Sequence, residues 1–141
     1  MPIARDLMTQ TPATVLATDP VRKAVTLMRA FDVRHMPVVD EDGALVGILS
    51  DRDLRALTLP WLVADELAAA IEASFAAPVS AVMSSDVLSV NTEDDVRDIV
   101  DIIIEHRIGA VPVIDNDGIL VGTVSYVDVL RAWPSEGEAA A

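Results

Sequence analysis

Gly47-Ile48-Leu49-Ser50-Asp51-Arg52-Asp53-Leu54 returns seventy-five positions later as Gly122-Thr123-Val124-Ser125-Tyr126-Val127-Asp128-Val129. In each copy a short apolar run meets a Ser, an Asp follows three residues on, and a helix-compatible segment begins. A hydroxyl, a carboxylate and the free N–H groups of a first helical turn are thereby expected at one spot, where a polar ligand could be held. Working outward, residues 8–55 align with 83–130 without a gap, and sixteen of the forty-eight pairs are identical. Chance would give about three, and self-similarity at a fixed period marks repeated supersecondary units.

Both units read alike. Short strands are expected around 13–16 and 88–91, followed by Thr18 and Thr92 as helix N-caps, with Asp19, Glu93, Asp94 and Asp95 in the first turn. Val21, Ala24, Val25, Met28 and Phe31 recur at helical spacing, as do Val96, Ile99, Val100 and Ile103, and the helices should end near Asp32 and Arg107. Residues 36–39, the turn at 40–43 and residues 44–49 then have the pattern of a β-hairpin, repeated at 111–114, 115–118 and 119–124. A helix closes each unit. The fold class is therefore mixed α/β (α+β), with β-α-β-β-α occurring twice. A sheet with one bare face is hard to stabilise in some fifty residues, so the units should pack on each other.

The expected organisation is a first repeat at 1–58, a helical insert at 59–79, a second repeat at 80–133 and a disordered tail at 134–141. The insert is Ala-rich over 64–77, a good helix by propensity, with Trp61 and Phe75 as its docking residues.

Composition narrows the function classes. Of 141 residues, 52% are apolar, which excludes general disorder. No apolar run approaches the length of a membrane span, and the start at Met1-Pro2-Ile3 has no basic region before an apolar core, so a soluble cytoplasmic protein is expected. There are no cysteines, hence no disulfide, thiolate metal site or cysteine nucleophile. A net charge of −13 without a basic stripe argues against duplex nucleic acid, and 4% aromatics argues against a stacking platform for single strands.

The doubled unit, carrying Pro37-Val38-Val39-Asp40 and Pro112-Val113-Ile114-Asp115, the Asp42-Gly43 and Asp117-Gly118 turns, and Gly-x-x-Ser-x-x-Asp, resembles a CBS-domain pair, or Bateman module, of the free-standing bacterial type. The resemblance covers about residues 3–133. It implies two repeats related by pseudo-two-fold symmetry, with two clefts between them. Members bind AMP, ADP, ATP, and sometimes S-adenosylmethionine or dinucleotides there; they act as sensors rather than catalysts, and often form homodimers.

On that basis one candidate site uses His35, Ser50 and Asp53 with Asp86, Leu88 and Ala110. The other uses Ser125 and Asp128 with Thr11, Ala13 and Met36. A carboxylate can accept from both hydroxyls of a ribose, and charge-assisted bonds contribute about 1.5–3 kcal/mol each. The plain alternative is that Ser-x-x-Asp is a capping box, contributing about 1 kcal/mol with no ligand. His35 is replaced by Ala110 in the second copy, and Asp51-Arg52 by Tyr126-Val127, so the Ser50/Asp53 site is the better nucleotide site. Repulsion of roughly 1–2 kcal/mol per unpaired charge at ~10 Å favours AMP over ATP, with His35, Arg34, Arg52, Arg55 and Arg5 available to offset it.

Other signals lead nowhere. Counting back from Gly43 and Gly118 puts Val38 and Val113 at the first position of a calcium loop, which fails the pattern. His35 and His106 lack the neighbours of a structural metal site, and no nucleophile elbow, Walker loop or Gly-x-Gly-x-x-Gly occurs. No enzyme activity is expected. The leading reading is an adenosine-ligand sensor acting through self-assembly or an unknown protein partner. The rivals are a structural dimerisation module with empty clefts and a family member whose ligand is not a nucleotide. Leu54, Leu57, Leu59, Val129, Leu130 and Trp133 are the apolar positions expected to meet a second chain.

Overall fold

The computed structural model describes residues 2–10, 13–55 and 64–133. Thr11, Trp61, Leu57, Leu59 and the expected tail at 134–141 lie outside the described residues. The elements in order are α1 (Ala4–Leu7), β1 (Thr9–Gln10), β2 (Val15–Leu16), α2 (Val21–Ala30), β3 (His35–Val39), β4 (Leu45–Ser50), α3 (Asp51–Arg55) and α4 (Ala64–Ala76), then β5 (Val90–Asn91), α5 (Val96–His106), β6 (Ala110–Ile114), β7 (Leu120–Ser125) and α6 (Tyr126–Ala132). The β-α-β-β-α order is present twice, as the sequence predicts. Among the described residues no helix is long and apolar enough to cross a membrane.

The chain forms two compact units, Ala13–Val87 and the pair of segments Met1–Pro12 with Leu88–Ala141. In the first, β2 runs parallel to β3 and β3 antiparallel to β4. Its core is Val15, Val21, Ala24, Met28, Met36, Val38, Leu49 and Val79. In the other, β5 is parallel to β6, β6 antiparallel to β7, and β1 adds to the free edge of β7 with Thr9 opposite Thr123. Its core gathers Ala4, Leu7, Val90, Val96, Ile99, Val111, Val113, Val124 and Val129.

The leading segments are exchanged between the repeats. The stretch Ala4–Gln10, at the head of the first repeat in sequence, completes the unit of the second repeat, and Met8 lies on Gly122. The matching stretch at the head of the second repeat packs with the first: Met83 lies on Gly47, and Ser84 and Ile48 exchange two backbone hydrogen bonds of 2.9 Å. A side chain on either glycine would collide with the methionine sulfur, which is why the repeated motif begins with Gly.

Several local expectations are corrected. Thr18 and Thr92 do not cap the helices; Pro20 and Asp95 occupy those positions. The Asp19 and Asp94 carboxylates turn back to accept from the N–H groups of Leu16 and Asn91, closing the strand-to-helix turn and moving each helix start onward. Asp95 then accepts from the Arg97 N–H at 2.8 Å. Both helices end as expected, through Asp32 and Arg107 in the left-handed region (φ 53 and 54). Phe75 stays exposed rather than docking α4; Val21 N–H to Ala77 C=O, at 2.9 Å, ties the end of that helix down. Val129, expected at the surface, is buried in the core with Ala4 and Leu7.

Candidate functional site

The hairpin turns fix which residues face one another. Gly43 and Gly118 take positive φ (88 and 82), and Asp40 and Asp115 each accept two turn N–H groups, from residues 42 and 44 and from 117 and 119. With the turn set, strand register follows. It brings His35 opposite Ser50 on β3 and β4, and Ala110 opposite Ser125 on β6 and β7.

At the first junction the Ser50 N–H donates to Asp53 Oδ2 at 2.9 Å, and the Asp53 N–H donates to Ser50 Oγ at 3.1 Å. At the second, the Ser125 N–H donates to Asp128 Oδ2 at 2.8 Å and the Asp128 N–H to Ser125 Oγ at 3.2 Å. Here the Ser125 hydroxyl also donates to Asp128 Oδ2, at 3.0 Å. Both junctions are thus reciprocal capping boxes. An ionised carboxylate offers about four lone-pair sites on two oxygens. The caps hold the carboxylates in place through Oδ2, and among the described residues Oδ1 of each accepts no hydrogen bond.

Charge is distributed unequally. At the first junction the Asp51 N–H donates to the Arg34 carbonyl at 2.9 Å, and the Arg55 guanidinium donates to the Asp51 carboxylate at 2.8 Å. That bond, with the Arg55 and Arg34 charges, holds the Asp51 carboxyl below the usual carboxylate range despite partial desolvation. Arg55 is therefore engaged by Asp51. Arg5, expected to serve the first site, instead pairs with Glu93 at 2.7 Å in the unit of the second repeat.

The remaining candidates divide between the units. His35, Asp86, Ala13 and Met36 belong with Ser50 and Asp53; Leu88 and Ala110 belong with Ser125 and Asp128. His35 and Asp86 are exposed, as is Leu88, while Ala13 and Ala110 are half-buried. Met36 is fully buried opposite Leu49, so its side chain is spent on the core. One residue the motif reading passed over is Thr123, whose Oγ1 is sealed from solvent without a hydrogen-bond partner. Its signal was available in the alignment: a hydroxyl stands where the first copy has Ile48.

The model of the CBS domain matches residues 4–59 and 79–135. The chain is 33% identical over 129 residues to the CBS domain-containing protein YhcV of Bacillus subtilis, covering 92% of this chain and 84% of that one. A putative acetoin utilization protein, AcuB, from Vibrio cholerae superposes with TM-score 0.77 at 34% identity, over 93% of this chain and 89% of that one. CBSX2 of Arabidopsis thaliana, solved in complex with AMP, superposes with TM-score 0.77 at 30% identity, over 92% of this chain and 94% of that one. The chain spans only 24% of another curated relative, the homoserine O-acetyltransferase of Methanocorpusculum labreanum, at 28% identity.

Proposed function

The chain belongs to the CBS-domain family as a tandem pair of repeats, and from that premise we propose that it is a non-catalytic regulatory module whose Ser-x-x-Asp junctions bind an adenosine compound, AMP-like in preference to ATP. The observation that carries this reading is the Oδ1 of each fixed carboxylate, which accepts no hydrogen bond among the described residues. A ribose diol presents hydroxyl donors to such an oxygen, and the cap has already removed much of the entropy of aiming it. The AMP held by CBSX2, 30% identical to this chain, supports the ligand class. Arg55 and Arg5 are engaged by acidic partners, and the chain carries a net charge of −13, which disfavours a triphosphate. Asp86, Leu88, Ala110 and Ala13 enter this reading as expected from the resemblance; Met36, whose side chain is buried in the core, does not. S-adenosylmethionine remains within the proposed class, being an adenosine compound without phosphates.

A homodimer is part of the proposal. Tyr126, Leu130 and Trp133 along α6 are 55%, 67% and 45% exposed, an apolar stripe suited to a second copy.

The test is thermal melting of the full chain with AMP, ADP, ATP, NAD and S-adenosylmethionine. A ligand at 100 times its Kd adds about 2.7 kcal/mol, and each kcal/mol moves the midpoint by roughly 2–4 °C. A second reading, a dimerisation module without ligand, is favoured by the fact that both capping boxes are complete as they stand. Flat midpoints across the whole panel would leave that reading in possession.

A further inference from the structure

Thr123 lies on β7 between Gly122 and Val124, both of which face the helix-packed core: Met8 fills the place of a Gly122 side chain, and Val124 is fully buried. Strand alternation sends Thr123 to the opposite face, with Ser125 beyond it and Pro112 and Ala110 across the pair. On that face its Oγ1 is buried without a hydrogen bond, alone in this among the described residues. Such a group is costly to keep and uncommon in folded proteins. The first repeat has Ile48 at the same register, opposite Pro37, and carries no equivalent group.

We propose that Thr123 determines specificity: its hydroxyl bonds a nitrogen or amine on the base edge of a nucleoside ligand seated at the Ser125–Asp128 junction. The Ile48 junction offers no such bond, so the two repeats rank adenosine ligands differently. The bond that the Thr123 hydroxyl lacks among the described residues is the one that the base edge of the ligand supplies. This inference rests on the reading of the junctions as ribose sites.

The experiment is calorimetric titration of AMP into the full chain carrying Asp53→Asn, which reads the second junction by itself, with Thr123→Val and Thr123→Ser added to it. Thr123→Val is expected to weaken AMP by about five- to tenfold while raising the ligand-free melting midpoint, and Thr123→Ser to stay within about twofold. Equal affinity for the Val and Thr forms overturns the proposal, as does an equal loss in the Ser form. If the wild type binds AMP but the Asp53→Asn chain does not, the Thr123 proposal falls and the sensor reading stands. If the wild type binds no panel member, both fall.

Discussion

Asp53 takes the Ser50 N–H on Oδ2 at 2.9 Å, so one carboxylate closes the helix cap while its Oδ1 accepts no hydrogen bond among the described residues. Capping and ligand binding separate by substitution. Asp53→Ala should lower stability by about 1 kcal/mol through loss of the cap, a shift of roughly 2–4 °C. Asp53→Asn keeps an acceptor for the N–H and should lose less than half of that. Both should abolish the AMP-induced shift at this junction. An Asn form that keeps the full shift would show that the carboxylate charge does not hold the ribose.

The two motif glycines should not be equally tolerant. A Cβ on Gly47 would collide with the Met83 sulfur, which belongs to a flexible side chain. A Cβ on Gly122 would meet the Met8 sulfur at 2.6 Å and also the Thr9 carbonyl oxygen at 2.8 Å, which cannot yield without parting β1 from β7. Overpacking of this kind costs about 1–3 kcal/mol. Gly122→Ala should fall at the upper end and Gly47→Ala at the lower, with Met83→Ala restoring part of the Gly47→Ala loss. Urea denaturation of the three variants checks the order, and a reversed order would be incompatible with the packing described.

Asp51 should titrate below the ordinary carboxylate value of 3.8, because Arg55 donates to its charged form. A depressed folded value means that this pair's contribution is present above the unfolded pKa and is lost as pH falls through the folded one. Carbon-detected NMR of the Asp51 carboxyl between pH 2 and 6 reads it directly. Arg55→Gln should return the midpoint toward 3.8, and no movement would mean that the guanidinium is not the cause.

Self-association should depend on the α6 stripe. Leu130→Glu and Trp133→Glu place a charge on exposed apolar positions and should shift sedimentation toward the monomer without lowering the melting midpoint by more than a degree or two. Val129→Glu, one residue away but buried, should instead unfold the second repeat. Unchanged sedimentation of both exposed variants would remove α6 from the interface.

Most of the architecture was legible because the sequence states it twice: helical spacing at Val21, Ala24 and Met28 recurs at Val96 and Ile99, and the Asp-Gly turns announce both hairpins. The caps are not legible in the spacing because they depend on Asp19 and Asp94 being drawn back to the strand ends, which moves the helix starts on to Pro20, with no side-chain cap bond, and to Asp95. The burial of Val129 was hidden because it depends on Ala4 and Leu7, more than a hundred residues away in sequence. Of the candidate site, Ser50, Asp53, Ser125 and Asp128 were visible as a spacing. Thr123 was not, since a threonine in a strand is ordinary until its hydroxyl is found without a partner.

The exchange of leading segments bears on how such a chain can be divided. Cutting between the repeats by sequence would deprive each half of the methionine that covers its glycine and of the backbone partner on its outer strand. Working fragments should therefore come from rejoining the chain in a new order, with residues 2–10 attached beyond the last helix, rather than from trimming it in the middle.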